Sequence, residues 1–559
     1  MRTIPNWKSL FAAGLCLPAL WAFGDDQPSV PASPRNVDFG KDIHPFFEKY
    51  CFDCHDAGTA KAEINLEQFD TAEAFWKNPK IWERVLVQLR DKVMPPAKKK
   101  QPDDGERARL AAWVAATLDH PDTSKAPHDP GRTVIHRLSR LEYDNTIRDL
   151  LGVETHPAND FPPDAGGGGG FDNNAATLYV PPVLMEKYLA AAGTVLDAAK
   201  PERLFTAPPM EGRSERDTAR LNLSDLARRA FRRPVAPEEI DRLAGLYDAS
   251  RQRGESDAEA TKLAAKALLI SPNFLFRIEA ERAGATEPYQ VDEFALASRL
   301  SYFLWASMPD EELFRLASEK KLHDPQTLDQ QVRRMLADPK AHAFYESFAS
   351  QWLRTKELQS MVAPAPDRYP QYTPALRDAF YAESIDFFQG LLRENRPLTD
   401  CLGCDYTYAN ETLAKFYGVA DVQGDQMRRV KLTDPNRGGI LGMGGVLALT
   451  SYPRRTSPVL RGKWVMEEIL GTPPPPPPPE VNTATVGNSD RVKDGLTFRQ
   501  RLEQHRKDPK CAGCHARMDP LGFGLENFDA IGAWRTEVSG TAVDASGQLV
   551  TGEKFSGPA

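Results

Sequence analysis

The pattern Cys-x-x-Cys-His stands twice in this chain of 559 residues, at 51–55 near one end and at 511–515 near the other. Two thiols at this spacing can each bond to one vinyl group of a porphyrin, and the histidine that follows can bind the iron from one face. Chance would place the string in a chain of this composition roughly once in several hundred sequences, so two copies argue against coincidence. The sequence therefore predicts two covalently attached haem c groups.

The first motif consists of Cys51, Cys54 and His55. Two other uses of these residues stay open at this stage: a disulfide beside an unrelated histidine, or half of a zinc site. A structural zinc ion needs four ligands, and His44 is the only obvious additional one nearby in the sequence. Haem attachment therefore accounts for the motif best.

Met94 lies 39 residues after His55 and is followed by Pro95 and Pro96. A thioether on the opposite face of the iron raises the potential of a haem. Methionine more often fills a core, but this one stands in a polar loop rich in lysine and proline. We therefore predict that Met94 is the second axial ligand.

The lysines at 98–100 could guide an acidic redox partner to the haem edge, or could simply form a solvated face.

The second motif consists of Cys511, Cys514 and His515, and it follows a helix-like segment that includes His505. Its second axial ligand is not evident. Met518 follows His515 by only three residues, and so short a stretch can scarcely pass from one face of a porphyrin to the other. His505 could fold back onto the iron or remain a surface histidine. Alternatively, the iron has no strong sixth ligand or takes one from elsewhere.

Composition limits the classes of protein to which the chain can belong. A hydrophobic content of 41% with 26% charged residues is ordinary for a soluble globular protein and argues against a membrane channel or a wholly disordered scaffold. The net charge of −8 offers no attraction for phosphate backbones or anionic lipid, so we expect no nucleic-acid partner. One hydrophobic core is not enough for this length, and several domains are expected.

Most of the chain has the periodicity of α-helices, and the predicted fold class is mainly α. Apolar residues recur at helical spacing over 328–336 and over 376–391, and residues 294–305 are apolar enough for a buried helix. Thr373 and Pro374 are a good N-cap and first-turn pair for the helix over 376–391. We expect these apolar stripes to form core.

The first residues have the pattern of an export signal, because Arg2 and Lys8 supply positive charge and residues 10–23 are apolar. We predict a signal peptide over 1–24, a linker rich in Pro, Ser and Asp over 25–36, and an exported, periplasmic bacterial protein. An uncleaved segment would instead tether the chain to the membrane.

Six of the seven cysteines fall into three Cys-x-x-Cys pairs, and thiols outside the cytoplasm tend to be oxidised or capped. The third pair, Cys401 and Cys404, is followed by Asp405 and so lacks the iron ligand of a third haem. A disulfide is the better interpretation of this pair.

Two polar clusters have a functional and a structural interpretation. Asp164 and the Asp and Asn residues at 172–174 could bind calcium, or could form a turn that caps the next helix, which is the simpler expectation. The second cluster is basic, and its guanidinium groups could pair with haem propionates or form ordinary surface salt bridges. It consists of Arg454, Arg455, Arg461 and Lys463.

Residues 37–121 resemble the class I cytochrome c fold. The shared features are an N-terminal helix, the Cys-x-x-Cys-His motif, a methionine loop and a C-terminal helix that carries Leu110 and Trp113. The resemblance implies a compact domain around a haem that His55 and Met94 hold.

A second resemblance covers most of residues 37–555. It rests on the strings HRLSRLEYDN at 136–145, FPPD at 161–164, FDNN at 171–174, FRRP at 231–234, RLSYFLW at 299–305, RTSPVLRG at 455–462 and MDPLGFGLENFDAIGAWR at 518–535. These strings are similar to those of the planctomycete-type multidomain cytochrome c proteins, which combine several conserved domains of unknown function. The resemblance implies two haems and export but supplies no substrate. A further helical domain follows in the family where this chain ends, which predicts a truncated chain.

The predicted domain order also uses two low-complexity breaks, five glycines at 166–170 and seven prolines at 473–479. The proline run favours a stiff polyproline II spacer. We predict a cytochrome domain over 37–121, a large helical region over 131–400, a loop-rich region over 401–472, the proline spacer over 473–480 and a loop-rich haem-binding segment over 490–559.

The two motifs favour electron transfer as the function. The Met94 haem would exchange electrons with a redox partner that the sequence does not identify, and the second haem would relay or accept them. The alternative is a haem oxidoreductase or peroxidase-like enzyme with an open C-terminal haem, and a third hypothesis is a cell-surface binding scaffold. No catalytic side chains stand out in the helical middle of the chain.

Overall fold

Two compact units make up the computed structural model of the chain, Met1–Pro127 and His128–Ala559. The expected signal peptide over 1–24 and linker over 25–36 lie outside the described residues, as do the glycines at 166–169 and the prolines at 475–479. The structure describes residues 39–69, 74, 78–90, 92–96, 98–119, 131, 133–164, 170–208, 210–360, 364–474, 497–507, 509–550 and 552–558.

The N-terminal unit is helical and packs around aromatic side chains. The fully buried ring of Trp82 lies 5.4 Å from the ring of Phe47 and 5.0 Å from that of Phe69, measured between centroids. The first and last helices of this unit both contribute to the core. Both were predicted from the sequence, whereas the helix that carries Trp82 was not. The elements are a π-helical turn at Phe39–Ile43, α1 (His44–Tyr50), α2 (Phe52–His55), a 3-10 turn at Lys61–Glu63, α3 (Pro79–Arg90) and α4 (Asp104–Asp119).

The C-terminal unit is built mainly of helices. Its α-helices are α5 (Arg140–Leu151), α6 (Pro182–Ala198), α7 (Pro201–Leu204), α8 (Glu215–Phe231), α9 (Pro237–Gln252), α10 (Asp257–Leu269), α11 (Pro272–Leu275), α12 (Glu293–Trp305), α13 (Glu311–Ser318), α14 (Pro325–Ala337), α15 (His342–Trp352), α16 (Pro374–Arg393), α17 (Glu411–Tyr417), α18 (Gly444–Leu449), α19 (Pro458–Trp464), α20 (Phe498–His505) and α21 (Pro509–Phe523). Shorter 3-10 and π-helical turns lie at Pro157–Asp160, Pro339–Ala341, Thr355–Gln359, Leu398–Cys401, Ile440–Gly442 and Val465–Ile469.

The strands of this unit are short and form separate antiparallel pairs rather than one sheet. The longest pairing joins β3 to β4, in register from Tyr406 opposite Lys431 to Ala409 opposite Arg428. The pairs are β1 (His136–Arg137) with β2 (Phe276–Arg277), β3 (Tyr406–Ala409) with β4 (Arg428–Lys431), β5 (Ser451–Tyr452) with β6 (Arg455–Thr456), β7 (Glu537–Val538) with β8 (Thr541–Ala542), and β9 (Ser546–Gln548) with β10 (Lys554–Ser556).

Local sequence explains where several helices begin. Thr373 caps α16, because its side chain accepts a hydrogen bond from the amide of Leu376, and Pro374 occupies the first turn as predicted. At the start of α5, Ser139 and Glu142 form a capping box in which each side chain accepts from the backbone amide of the other. These caps fix the first turns of helices whose apolar sides form the core.

The predicted fold class, mainly α, is confirmed. The apolar stripes at 294–305 and 328–336 are observed within α12 and α14 and contribute to a shared buried cluster. In the ranges that the structure describes, no helix is both long and apolar enough to cross a lipid bilayer.

Candidate functional site

The first Cys-x-x-Cys-His motif lies where α1 meets α2. The amide of Cys51 donates to Phe47 O at 2.8 Å, and the amide of His55 donates to Cys51 O at 3.0 Å. Cys51 and Cys54 are half-buried free thiols, so the alternative of a disulfide is not observed. Burial raises the pKa of the Cys51 thiol to about 12, against the opposing effect of the Arg107 charge. Because neither cysteine is held in a disulfide, both can form a thioether bond with a porphyrin.

The imidazole of His55 is oriented by a hydrogen bond at Nδ1. That nitrogen lies 3.2 Å from Ile64 O, and because a carbonyl oxygen can only accept, Nδ1 carries the proton. Nε2 then keeps its lone pair for a metal. The amide of the buried Leu66 donates to His55 O at 2.7 Å, which anchors the segment that supplies the carbonyl.

Met94 stands in a loop whose backbone is held by polar side chains. The guanidinium of Arg107, a buried residue, donates to Met94 O at 2.5 Å and to Gln101 Oε1 at 2.9 Å. Gln101 Nε2 in turn donates to Pro95 O at 3.0 Å and to Pro96 O at 2.9 Å. The Met94 side chain is 38% exposed and does not fill the core, and its role as an iron ligand stays a prediction.

Arg107 and Gln101 were missed in the sequence analysis. Both bind backbone carbonyl oxygens, a contact that depends on the path of the chain and leaves no spacing pattern in the sequence. Two of the lysines at 98–100 lie beside the first motif: Lys99 Nζ is 3.9 Å from Asp53 Oδ2, and Lys100 Nζ is 5.8 Å from the centre of the Tyr50 ring.

The second motif lies inside a helix. Helix α21 contains Cys511, Cys514 and His515 at positions i, i+3 and i+4, which share one face of an α-helix. Both cysteines are half-buried, and neither forms a disulfide. The preceding helix α20 includes His505, as the sequence pattern predicted, and ends at that residue.

A carboxylate orients the imidazole of His515. Its Nδ1 lies 2.9 Å from Oδ1 of Asp519, one helical turn further along α21, and the Asp519 side chain is fully buried. Donation of the Nδ1 proton to the carboxylate leaves Nε2 available for a metal. Asp519 was missed in the sequence analysis, although its i, i+4 spacing from a histidine within a helix is a signal that could have identified it.

The structure brings His505, one of the two candidates for a second ligand, beside the imidazole of the second motif. The rings of His505 and His515 are in direct edge contact, with centroids 4.8 Å apart and planes at 86°. The role of His505 as an iron ligand stays a hypothesis. Met518 is 6% exposed and packs against Gly462, which agrees with its exclusion on the grounds of spacing.

Direct backbone contact holds α21 against α19. A β-carbon on Gly462 of α19 would overlap Met518 O, and a β-carbon on Gly522 of α21 would overlap Pro458 O. Only glycine lets the two helices approach this closely. The contact fixes the position of the helix that carries the second motif.

The prediction that Arg461 belongs to a surface cluster was wrong. Its guanidinium is fully buried and donates to Leu525 O at 2.6 Å, Phe528 O at 2.8 Å and Asp529 O at 2.6 Å. Burial lowers its pKa to about 10, while Glu526 opposes that change. Arg461 therefore organises the loop after α21.

The other members of the basic cluster make separate contacts. Arg454 forms a bidentate pair with Asp367 at 2.8 and 3.0 Å, and Lys463 Nζ lies 3.5 Å from Glu467 Oε1. The Arg455 guanidinium lies over the Tyr452 ring, 4.7 Å from its centre. These positions agree with the simpler interpretation as surface interactions.

The disulfide predicted between Cys401 and Cys404 is not formed, and both thiols are free. Cys401 is buried at the end of a 3-10 turn, and Cys404 Sγ donates to Tyr406 O at 3.1 Å. β-Carbons on Gly438 and Gly439 would overlap the carbonyl oxygens of Cys404 and Cys401 respectively. The two cysteines thus belong to a turn that packs directly on another backbone segment.

The acidic side chains around the glycine run are engaged separately, which contradicts a shared calcium site. Asp164 accepts from Arg137 Nη2 at 2.6 Å and from the amide of Arg140 at 2.7 Å, whereas Asp172 pairs with Lys356 Nζ at 2.8 Å. Asp164 therefore binds the first turn of α5, which precedes the run and is capped by Ser139, rather than capping the next helix as expected.

The zinc alternative for the first motif also loses support. Structural zinc sites use four ligands, and within the described part of the chain no three His, Cys, Asp or Glu side chains converge on one point. Both motifs instead combine two cysteines that form no disulfide with an imidazole whose Nδ1 is occupied. This donor set fits covalent haem at each of them.

Comparison with known families gives five separate matches along the chain. Residues 51–98, which include the first motif and Met94, match a family described as Planctomycete cytochrome C. The other four matched families are described as proteins of unknown function: PSD3 (DUF1587) at 136–200, PSD5 (DUF1595) at 218–279, PSD4 (DUF1592) at 291–419 and PSCyt3 (DUF1588) at 437–538. The last of these includes the second motif. Comparison with curated proteins and with solved structures finds no match to this chain.

Proposed function

Because this chain belongs to the planctomycete-type multidomain cytochrome c family, we propose that it is an exported dihaem c-type cytochrome that transfers electrons between redox partner proteins. Family membership itself implies a c-type cytochrome with covalently bound haem c. The number of haems, the axial ligand Met94 and export are parts of the proposal.

The proposal rests on the repetition of one donor arrangement at two places. In both motifs the cysteines form no disulfide, and the histidine Nδ1 is occupied by an acceptor from the protein. A one-electron iron couple is what haem supplies when it is bound at such a site. The cysteines would form thioether bonds, and His55 and His515 would bind through Nε2.

Haem stoichiometry tests the proposal. We expect the full chain, produced in a bacterium with a haem c maturation system, to contain two covalent haems per chain. Replacing Cys51 and Cys54 by alanine should remove one haem, and replacing Cys511 and Cys514 should remove the other. The measurement is iron and covalent haem per chain by absorbance and mass spectrometry.

The matched control replaces the third pair, Cys401 and Cys404, by alanine and should leave two haems. Colourless wild-type protein would contradict haem attachment, and a single haem that only one of the double variants removes would contradict the second site. Mass spectrometry of the secreted protein tests export, because cleavage should remove residues 1–24.

Met94 has its own test. Met94→Ala should lower the potential of the N-terminal haem and change its axial-ligand spectrum, because the thioether that favours ferrous iron is lost. Val93→Ala is the matched control, since Val93 is the preceding residue and is also exposed. Unchanged potential and spectrum in Met94→Ala would show that another group binds the iron.

A further inference from the structure

The proximal histidines of the two motifs donate to acceptors of different charge. His55 Nδ1 donates to the neutral backbone oxygen of Ile64 at 3.2 Å, whereas His515 Nδ1 donates to the side chain of Asp519 at 2.9 Å. The two proximal imidazoles therefore differ in the charge of the group that accepts the Nδ1 proton.

The carboxyl group of Asp519 is held away from water. Its side chain is fully buried, and within the described part of the chain its Oδ2 has no hydrogen-bond donor. The nearest cation is Arg506, whose Nε lies 4.0 Å from that oxygen. Water does not screen the interaction with His515, so the negative charge acts on the imidazole at short range.

The position of Asp519 is fixed by the backbone around it. The preceding residue, Met518, lies against Gly462 of α19, and Pro520 follows directly in α21. Because the adjoining helices touch through their backbones, Asp519 has little freedom to move away from His515.

A carboxylate that accepts the Nδ1 proton makes the imidazole a stronger electron donor at Nε2. A stronger donor stabilises ferric iron more than ferrous iron, and second-shell hydrogen bonding is one of the means by which a protein sets a haem potential. We propose that Asp519 is a positioning residue that orients His515 and lowers the potential of the C-terminal haem. This inference rests on the proposed attachment of haem at Cys511 and Cys514.

The test compares Asp519→Asn with wild type in the full dihaem chain by spectroelectrochemical titration. Asparagine keeps the shape but removes the charge. We expect the ferric-to-ferrous equilibrium of one haem to shift toward ferrous by about tenfold, which matches the smaller changes in metal affinity that loss of a second-shell partner causes. For a one-electron couple this is a rise of about 59 mV. Asp519→Glu, which keeps a carboxylate, should restore part of the wild-type value.

Met518→Leu is the matched control, because it alters the adjacent buried residue without removing a charge and should leave both potentials unchanged. Covalent haem is counted in every variant before the titration. Two haems with unchanged potentials in Asp519→Asn would overturn the role of Asp519 and leave the proposed function intact. Equal shifts in Asp519→Asn and Met518→Leu would also overturn it, because packing alone would then explain the change. Absence of haem from the second motif in wild type would instead refute the proposed function.

Discussion

At the scale of single residues, Glu383 is a buried carboxyl group that joins four elements. It lies on α16 and accepts from Thr407 Oγ1 of β3 at 2.6 Å and from Tyr417 Oη of α17 at 2.7 Å. The amide of Gly444 at the start of α18 donates to the same Tyr417 oxygen at 2.7 Å. Burial raises the pKa of Glu383 to about 7, although both hydrogen bonds and the Arg437 charge oppose the rise.

The raised pKa of Glu383 predicts the direction of a pH effect on stability. The carboxyl has an ordinary pKa of 4.5 in the unfolded chain and about 7 in the folded one, so the folded state holds the proton more tightly. The stabilisation is fully present below pH 4.5 and is lost as the pH rises through 7, by about 3 kcal/mol at most. Urea unfolding of wild type and Glu383→Gln between pH 4.5 and 8 should show this decline only in wild type.

Glu186→Gln, at an exposed position of α6, is the control for that measurement and should behave as wild type. Parallel stability curves for wild type and Glu383→Gln would mean that the buried carboxyl does not titrate in this range.

At the scale of elements, the contact between α19 and α21 predicts that one methyl group added at Gly462 lowers the stability of the fold. Gly462→Ala would place a β-carbon against Met518 O, and the helices would have to separate. We expect a loss of about 1–3 kcal/mol or more, the range for overpacked cores. The measurement is the free energy of unfolding of the haem-loaded protein.

Gly513→Ala is the matched control, since it lies in α21 within the second motif and a β-carbon there meets no atom within 4 Å. It should be neutral or stabilising by up to about 1 kcal/mol, because alanine favours a helix over glycine. Equal losses from both substitutions would mean that helix separation is not the cause.

The elements also show how far the sequence could predict the fold. Helix α16 was predicted from its Thr373–Pro374 start, because capping is a local interaction between neighbours in the chain. Helix α3 was missed, although Trp82, Leu86 and Leu89 mark its buried side. Arg461 was placed on the surface because charged residues are seldom buried. The carbonyls that satisfy it lie more than 60 residues away in the chain.

The same limit applies to the candidate sites. The thiols and the histidines of both motifs are contiguous in sequence, so spacing was enough to predict them. Arg107 holds the Met94 loop through a contact that depends on the path of the chain and became apparent only from the structure. Asp519 lies at i, i+4 from His515, a local spacing that was overlooked.

At the scale of the whole molecule, the two proposed haem sites differ in the group that accepts the Nδ1 proton of the proximal histidine. This difference predicts which haem is reduced first. A thioether ligand at the N-terminal haem would raise its potential, and the carboxylate at His515 would lower that of the C-terminal haem. The first electron added to the oxidised protein should therefore reside on the N-terminal haem. In a reductive titration, the variant that lacks Cys511 and Cys514 should keep the high-potential wave, and the variant that lacks Cys51 and Cys54 should keep the low-potential one. The opposite assignment would contradict this order.

The paired glycines of α19 and α21 also limit how related sequences can diverge. Side chains around the second motif can be exchanged for others of similar volume, because neighbouring rotamers can adjust. Gly462 and Gly522 have no such freedom, because each contacts a backbone carbonyl oxygen, which no substitution removes. Relatives that keep this helix pair should thus keep both glycines, even where most of the surrounding residues differ.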